Sequence, residues 1–437
     1  MRKKITLGAA IAFVAIGAAV TFSLTMTFAL RMFNQYISTS GSNEAFMKKL
    51  TEISEIVSEN YVGDVDDNTL ADYIARGYLG GIGDKYAAYY DVDTYASVVD
   101  SKAGQMTGIG VRVTRDSSGY IKITEVYEGS PAESVGLQAG DLIVKIGDAD
   151  VLETGYSAAV DSVKGEEGTV VSLTIRRDTE EIPYDVTRRM VEIPTVYSKA
   201  IDSVGYVKIF EFNEATATQF DTQVNDLVGQ GAAALIFDLR DNPGGTLDSV
   251  TAMLDKLVPE GTLVSATYKD GKTEVLKTSD SKEIGLPMVV LVNENSASAA
   301  ELFTQDLRDY NKAKIVGVNT YGKGTMQRTY QLSDGSAFQV TIAKYNSASG
   351  LNYDGVGISP DYEVELTAEQ EKIVAETAFP DISPDTDSQL KKAVDVALGL
   401  IKSGNSSSGA SSEGASQEVS SGAASSEAPQ EGSSQAS

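Results

Sequence analysis

The chain has 437 residues, contains neither histidine nor cysteine, and carries a formal net charge of −26 at pH 7. The missing residue types exclude a Ser-His-Asp triad, a Cys-His pair, a disulfide and any metal site with a histidine ligand. The acidic excess argues against nucleic-acid binding, because contact with phosphate groups requires a basic surface. At this length we expect two or three folded units.

The N-terminus predicts a membrane anchor. Residues 2–4 are Arg-Lys-Lys, and residues 5–30 are uncharged, a stretch longer than the roughly 20 residues that cross a bilayer as a helix. We therefore interpret residues 1–33 as a basic cytoplasmic stub and an uncleaved, single-pass signal anchor in the cell membrane. A cleaved signal peptide, with its shorter apolar part, is the alternative. The positive residues place the N-terminus in the cytoplasm and the rest of the chain outside.

Residues 34–103 are predicted to be mainly helical. Apolar residues recur at helical spacing over residues 46–61, and a second helical stretch covers residues 69–79 before two glycines. These helices are either ordinary packing helices or the arms of a homodimer. The sequence does not choose between the two.

The segment 104–190 alternates between short strands and turns. Strands are predicted at residues 108–113, 121–126, 140–147 and 170–177. Ser130 and Glu133 form a capping box for one short helix, which has Pro131 at its first position. The segment is therefore predicted to be a small β-rich unit.

The same segment resembles a PDZ domain, because it has the ordered motifs Gly-Ser-Pro-Ala-Glu, Gly-Leu and Gly-Asp-Leu-Ile. The resemblance implies that a peptide C-terminus binds as an added strand. Its carboxylate would be held by the backbone N–H groups of Gly108, Ile109 and Gly110, where glycine lets consecutive N–H groups turn to one anion. A tight glycine turn without a binding role is the alternative.

From residue 191 to 365 strands alternate with helices, which predicts an α/β core. Buried strands are expected at residues 234–240, 287–293 and 314–318, with helices at 246–257 and 299–310. Residues 366–402 are predicted to form a C-terminal helical region. The Ser/Gly/Glu-rich segment 403–437 has almost no apolar residues to bury and is predicted to be a disordered tail.

Ser298 and Lys323 are the candidates for catalysis. Ser298 follows a buried strand and opens a helix, so the N–H of Ala299 lies at an unsatisfied helix N-terminus that suits an anionic oxygen. Lys323 lies between two glycines and could act as general base, because burial favours a neutral amine. Gln327 could hydrogen-bond that amine and fix its direction. From the motifs alone, helix capping by Ser296 or Ser298 and a plain surface lysine remain alternatives.

Several further motifs occur in a fixed order around these residues. They are Gly-Asp-Lys-Tyr at 83–86, the PDZ segment, Asp-Leu-Arg-Asp-Asn-Pro-Gly-Gly at 238–245, Asn-Glu-Asn-Ser-Ala-Ser-Ala-Ala-Glu at 293–301, Gly-Lys-Gly-Thr-Met-Gln at 322–327, Asp-Gly-Ser-Ala at 334–337 and Asp-Gly-Val-Gly-Ile-Ser-Pro-Asp at 354–361. With this set of motifs, residues from about 45 to 400 resemble the carboxyl-terminal processing peptidases, also called tail-specific proteases.

The resemblance implies a serine endopeptidase with a crotonase-like α/β core, a PDZ domain and no metal or organic cofactor. It implies that Ser298 is the nucleophile, Lys323 the general base and Gln327 the residue that orients the lysine. The oxyanion hole would use the N–H of Ala299 and that of one glycine, Gly244 or Gly245. The expected substrates are proteins or peptides with exposed C-termini, cleaved outside the cytoplasm through an acyl-enzyme.

The chain departs from the family pattern at two places, and two alternative functions stay open. Ala300 stands where the family commonly has serine, and Ser-Ala-Ser-Gly-Leu at 347–351 replaces Thr-Pro-Ser-Gly-Arg, a change that could affect the substrate groove. One alternative function is a catalytically silent PDZ scaffold, against which the intact candidate dyad argues. The other is a penicillin-recognising Ser-x-x-Lys enzyme, which residues 279–282 fit but whose companion motifs are missing.

Overall fold

We describe a computed structural model of the chain, which covers residues 21, 25–27, 43–377, 379 and 381–409. The chain divides into two compact units, residues 1–75 and 76–437. Helix α1 (Asn43–Asn60) belongs to the first unit, and α2 (Asp67–Gly81) runs across the limit between the two. Both helices occupy the predicted positions. Most side chains of α1 are exposed, and its role as a packing helix or a dimer arm stays a prediction.

The predicted membrane anchor is corrected by the structure. In the described part of the chain, none of the helices combines the length and the apolar character that crossing a bilayer requires. This finding contradicts the predicted single-pass localisation in the cell membrane. Apart from residues 21 and 25–27, the segment 1–33 on which that prediction rested lies outside the described residues.

The second unit continues with helices and strands of mixed order. The helices are α3 (Val92–Ala103), α4 (Pro131–Ser134), α5 (Val151–Thr154), α6 (Tyr156–Val163), α7 (Thr216–Gly229), α8 (Leu247–Asp255), α9 (Ala299–Asp309), α10 (Ala368–Glu376) and α11 (Ser388–Gly409). The strands are β1 (Ala88–Tyr90), β2 (Gln105–Gly108), β3 (Val111–Arg115), β4 (Ile121–Val126), β5 (Leu142–Ile146), β6 (Ala149–Asp150), β7 (Val170–Arg177), β8 (Glu180–Thr187), β9 (Arg189–Glu192), β10 (Val196–Ile201), β11 (Val204–Ile209), β12 (Ala234–Asp238), β13 (Gly261–Tyr268), β14 (Thr273–Ser279), β15 (Met288–Val292), β16 (Ala313–Gly317), β17 (Thr325–Gln331), β18 (Ala337–Asn346) and β19 (Tyr362–Glu363).

Strands β3 to β8 form an antiparallel sheet in the predicted PDZ segment. Its inward side chains, such as Ile123, Ile143 and Ile175, are buried and pack with residues of α4 to α6. Ser130 caps α4 as predicted, because its hydroxyl accepts a hydrogen bond from the N–H of Glu133 at 3.1 Å. The chain enters and leaves this unit through β2 and β9, which pair with each other.

The central sheet of the α/β core has the strand order β10-β11-β12-β15-β16-β19. Strand β10 is antiparallel to β11, and the other neighbours are parallel. Leu235 and Phe237 of β12 pack toward α7, α8 and α9, whereas Ala234 and Ile236 pack toward α11. Helices therefore cover both faces, which explains the continuous apolar runs of these strands.

A second sheet flanks the core, with the order β1-β18-β13-β14 and β17 beside β18. Strand β1 comes from the region before the PDZ segment and pairs with β18 near the end of the core. The sequence prediction did not include this sheet, because its half-exposed strands lack the apolar runs of the central one. Helix α11 also extends to Gly409, past the predicted limit of the C-terminal helices at residue 402.

Candidate active site

The candidate nucleophile lies beyond the carboxyl ends of β12 and β15. These strands are parallel neighbours, so their following loops meet at one edge of the sheet, where α/β proteins commonly bind ligands. Ser296 fastens the two loops together: its hydroxyl donates to the carbonyl of Leu239 at 2.8 Å and accepts from the N–H of Asn293 at 2.9 Å. Ser296 is fully buried and is therefore a structural contact of the turn.

Ser298 has a strained backbone, with φ of 59° in the left-handed region that serine rarely adopts. Its hydroxyl oxygen is 3.0 Å from the hydroxyl oxygen of Tyr345. The hydroxyl of Tyr345 donates to the carbonyl of Lys323 at 3.1 Å. Since a phenol has one hydrogen to donate, the proton of Ser298 is directed at Tyr345 in this arrangement.

The buried carboxylate of Glu301 joins the serine loop to the lysine loop. Its Oε2 atom accepts hydrogen bonds from the backbone N–H groups of both Ser298 and Lys323, each at 2.8 Å. Its Oε1 atom accepts from the N–H of Gly322 and the hydroxyl of Thr320, each at 2.6 Å. One fully buried side chain thus fixes the two candidate residues next to each other.

The amine of Lys323 is half-buried in an environment that favours its neutral form. Burial and the neighbouring charge of Lys85 lower the pKa of Lys323, while the carboxylates of Glu301 and Asp84 act in the opposite direction. The amine nitrogen lies 4.5 Å from the centre of the Tyr86 ring. A lowered pKa is what a lysine needs to serve as a general base.

The proposed contacts of the dyad are not formed among the described residues. No hydrogen bond there joins the hydroxyl of Ser298 to the amine of Lys323. The side-chain amide nitrogen of Gln327 donates to the hydroxyls of Thr325 at 3.0 Å and Thr341 at 3.1 Å. With its nitrogen engaged, the amide oxygen of Gln327 is the atom that can accept a hydrogen bond from the lysine.

Two backbone N–H groups beside Ser298 are suited to an oxyanion. The N–H of Gly244 donates to the side chain of Asn242 at 2.8 Å. Gly245 forms an isolated β-bridge with Phe212. In this bridge the N–H of Phe212 donates to the carbonyl of Gly244, and the N–H of Thr246 donates to the carbonyl of Phe212. Within the described residues this leaves the N–H groups of Gly245 and Ala299 without an acceptor.

These groups share one cavity of about 770 Å³. All the sequence-predicted catalytic and oxyanion residues line it, namely Ser298, Lys323, Gln327, Gly244, Gly245 and Ala299. In the described part of the chain, no group of three or more acidic side chains is arranged to hold a metal ion.

The predicted peptide-binding residues lie at a separate pocket of the PDZ segment. Gly108, Ile109 and Gly110 line an apolar pocket of about 50 Å³, together with side chains of β3 to β5 and α6 such as Val111 and Val163. No hydrogen bond of the described residues engages the N–H groups of Ile109 or Gly110. These groups are therefore available to a carboxylate, and the pocket has room for one small apolar side chain.

Three residues at the site were not assigned a role from the sequence. Glu301 carried a signal, because Ser-x-x-Glu before an apolar helix is a capping pattern. Tyr86 was part of a noted motif, but nothing in the sequence indicates that it contacts Lys323. Tyr345 carried no local signal, since its contact with Ser298 depends on how β18 pairs in the second sheet.

The fold and the site define a peptidase joined to a PDZ domain, and comparison with known families agrees. The family model described as "Peptidase family S41" matches residues 203–364, and that described as "PDZ domain" matches residues 122–177. The chain is 31% identical over 330 residues to the "Carboxy-terminal processing protease CtpA" of Bacillus subtilis, covering 75% of this chain and 71% of the relative. The chain belongs to peptidase family S41 and is a serine-type C-terminal processing protease, which confirms the predicted resemblance.

Two further relatives extend this comparison. A "Probable CtpA-like serine protease" of Staphylococcus aureus is 31% identical over 354 residues, or 80% of this chain and 71% of the relative. The crystal structure of a putative S41 protease from Bacteroides fragilis covers 78% of this chain and 93% of its own, with a TM-score of 0.54 and 18% identity. At that identity the likeness concerns the fold alone.

Proposed function

We propose that this protease cleaves protein substrates with a Ser298/Lys323 dyad, through an acyl-enzyme. The observation that carries the proposal is the shared oxygen of Glu301, which accepts hydrogen bonds from the backbone of both residues. It keeps a hydroxyl at a helix N-terminus and a half-buried amine in one cavity. We also infer that the helix-covered parallel core is of the crotonase-like type that the sequence resemblance implies.

In the first step the neutral amine of Lys323 takes the hydroxyl proton of Ser298 while the serine oxygen attacks the scissile carbonyl. For this step the hydroxyl of Ser298 turns from Tyr345 toward the amine. The developing oxyanion accepts hydrogen bonds from the N–H groups of Gly245 and Ala299. The amide oxygen of Gln327 orients the lysine. Gly245 is chosen over Gly244 because the N–H of Gly244 already donates to the side chain of Asn242.

In the second step the C–N bond breaks, and the ammonium of Lys323 gives its proton to the leaving amine. An ester between Ser298 and the substrate remains. Lys323 then takes a proton from a water molecule, which attacks the ester carbonyl. As the C–O bond to Ser298 breaks, the ammonium of Lys323 returns a proton to the serine oxygen, and the second product leaves. The cycle returns both residues to their starting state and needs no metal or organic cofactor.

The PDZ domain would recognise the C-terminus of the substrate. In this proposal a peptide adds to β3 as an extra strand, and its carboxylate accepts hydrogen bonds at Gly108, Ile109 and Gly110. The small apolar pocket beside these residues supports a preference for a small apolar terminal side chain. Substrates would thus be proteins or peptides with an exposed, apolar C-terminus.

The test compares the full-length chain with its Ser298→Ala, Lys323→Ala and Ser296→Ala variants on an unfolded protein that ends in apolar residues. Fragments are identified by mass spectrometry, and an acid quench is used to detect the acyl-enzyme on the serine. We expect each dyad variant to lose at least about a thousandfold in kcat, because nucleophile and base act as a unit. The Ser296→Ala variant controls for the second serine of the motif and should still cleave.

The results test the assignment of the nucleophile and that of the general base separately. If Ser296→Ala is as inactive as Ser298→Ala while still folded, the placement of the nucleophile is wrong. If Lys323→Ala retains the parent rate, the lysine is not the general base.

A further inference from the structure

The segment Asp84-Lys85-Tyr86 has no task in the mechanism above, although it belongs to one of the ordered motifs. It lies directly before β1 and is fastened to β18 by Asp84. The carboxylate of Asp84 accepts hydrogen bonds from the backbone N–H of Thr341 at 2.8 Å and from its hydroxyl at 3.1 Å. A segment from before the PDZ domain is thereby held at the wall of the catalytic site.

Two amines lie on the ring of Tyr86. The amine of Lys323 is 4.5 Å from the ring centre, and the amine of Lys85 is 4.7 Å from it. No hydrogen bond joins the Tyr86 hydroxyl to Lys323 among the described residues, so the ring makes the contact with that amine. An aromatic face attracts an ammonium group, so the ring holds Lys323 in its protonated state. As a rigid packing surface, the ring also limits where the neutral amine can lie.

The charges around Lys323 come from two parts of the chain. Lys85 and Asp84 approach it from the segment before β1, and Glu301 approaches from α9. The carboxylate of Asp354 also acts on Lys85 and accepts from the N–H of Gly324 at 3.2 Å, and Lys102 and Glu211 line the same cavity. The hydroxyls of Ser298 and Tyr345 are uncharged at neutral pH. Burial and Lys85 together lower the pKa of Lys323, against the two carboxylates.

We propose that Tyr86 and Lys85 are positioning residues for the reaction: Tyr86 holds the amine of Lys323 in place, and the charge of Lys85 favours its neutral form. The inference rests on the proposed function of Lys323 as general base. Lys85 is exposed at the surface. Water therefore weakens the electrostatic effect of its charge on Lys323, and added salt screens that effect further.

The first experiment measures kcat/KM against pH for the full-length chain and its Lys85→Gln, Lys85→Arg and Lys282→Gln variants at low salt. Without the charge of Lys85 the lysine base holds its proton to higher pH, so the rising limb of the profile should move to higher pH. We expect kcat/KM at pH 7 to fall by roughly twofold to fivefold, with an unchanged KM and recovery at alkaline pH.

The controls make this result specific. Lys85→Arg retains the charge and should restore the midpoint of the parent. Lys282→Gln removes the same charge from a fully exposed lysine outside the cavity and should leave the profile unchanged. A Lys85→Gln profile that coincides with that of the parent overturns the role of Lys85.

The ring of Tyr86 is tested by replacing it in two ways. Tyr86→Phe keeps the aromatic face, whereas Tyr86→Leu removes it. We expect Tyr86→Leu to lower kcat by about tenfold or more, with KM little changed, and Tyr86→Phe to lose clearly less. Circular dichroism and urea unfolding verify that both variants fold. Equal kcat values for the two folded variants would overturn the role of the ring.

A readout that does not depend on cleavage completes the design. In the Ser298→Ala background, Lys323 is acylated at graded pH with acetic anhydride, and its labelling is measured by mass spectrometry. The labelling midpoint should rise when Lys85→Gln is added. An unchanged midpoint overturns the inference even if Lys323 is essential. If instead Lys323→Ala cleaves like the parent, the proposed function fails, whatever the labelling shows.

Discussion

At the scale of single residues, Gly244 is a position where the chain cannot accept a side chain. Its φ is 101°, and a Cβ atom built there would lie 2.8 Å from the Cβ of Ser298 and 2.9 Å from the backbone nitrogen of Ala299. Both neighbours belong to the site, and one is a backbone atom that cannot turn aside. The glycine therefore lets the loop after β12 approach the nucleophile closely.

Gly244→Ala should displace the loop from the nucleophile. We expect a loss of about 1–3 kcal/mol in the free energy of unfolding and about a hundredfold loss of kcat/KM, because misplacement by an ångström is costly. Urea unfolding and cleavage assays measure the two effects. Gly271→Ala is the matched control, since its φ is 81° but no atom lies near its Cβ. Equal losses in the two variants would contradict the close approach.

Glu301→Gln tests how one carboxylate holds both candidate residues. The substitution places an NH₂ group against two of the four donors, so hydrogen bonds to a buried charge are lost. We expect the free energy of unfolding to fall by about 2–5 kcal/mol and kcat to fall at least about tenfold. Glu294→Gln, an exposed glutamate of the same turn, is the control. A fully active Glu301→Gln variant would show that the shared oxygen does not organise the site.

At the scale of elements, helix α9 contains a buried carboxyl group at Asp306. One of its oxygens accepts from the N–H of Ala348 at 2.9 Å, and the other has no hydrogen-bond partner among the described residues. Burial, together with the nearby carboxylate of Asp309, raises the pKa of Asp306 well above its usual value, against the hydrogen bond from Ala348. Folding therefore favours the protonated form of this side chain.

The sign of the pH effect follows from that shift. Above about pH 4 the unfolded chain loses the proton of Asp306, whereas the folded chain keeps it, so stability falls as pH rises. Asp306→Asn removes this dependence, and its gain over the parent should be larger at pH 8 than at pH 5. Urea unfolding at both pH values measures the difference. Asp226→Asn, at an exposed aspartate on α7, is the matched control.

Another buried charge joins the central sheet to the C-terminal region. The guanidinium of Arg240 forms ion pairs with Asp238, at the end of β12, at 2.6 Å and with Asp387, just before α11, at 2.8 Å. All three side chains are buried. The pairing fixes the start of the helix that covers one face of the sheet.

Arg240→Met would leave Asp387 buried without this cation, and Asp238 with the amine of Lys208, at 3.2 Å, as its remaining one. We expect the free energy of unfolding to fall by about 3–5 kcal/mol, as for other buried pairs that lose one partner. Arg176→Met removes a partly exposed arginine from its pair with the exposed Glu181 and should cost at most about 1 kcal/mol. Chemical denaturation compares the two variants. Similar small losses would mean that the buried pairing is not needed for stability.

At the scale of the whole molecule, the PDZ domain contacts the core through Arg112. Its guanidinium donates to the carbonyl of Pro194 at 3.0 Å and lies 4.1 Å from the centre of the Phe210 ring. It also pairs with Glu125 of the PDZ sheet at 3.1 Å. From this contact we propose that the PDZ domain moves when a peptide binds and thereby gates the dyad.

Removal of residues 105–192 tests the gating hypothesis. The cut ends lie together, because the N–H of Ile193 donates to the carbonyl of Gly104 at 2.8 Å, so a short glycine linker can close the chain. We expect the shortened protein to lose its preference for an apolar C-terminus and to cleave short peptides at a changed rate. Arg112→Met in the intact chain should change the rate in the same direction. Unchanged rates and specificity would remove the gating hypothesis.

Elements with local stability or a strong sequence signal could be predicted from the sequence alone. The buried strands β12, β15 and β16 were predicted within a few residues, because strands covered on both faces are apolar throughout. The helices that follow β12 and β15 were predicted equally well. The capped helix α4 was predicted from Ser130 and Pro131. The peptidase family, the PDZ domain and the serine-type activity also followed from the order of the motifs.

Which groups meet at the site depends on the folded arrangement of the chain and could not be predicted. Tyr86, Glu301 and Tyr345 come from three distant parts of the chain, and their contacts with Ser298 and Lys323 depend on how the loops of one sheet meet the strands of another. Non-local pairing of this kind leaves no periodic pattern in the sequence. The same holds for the choice between neighbouring glycine N–H groups, since it depends on which of them a side chain already engages.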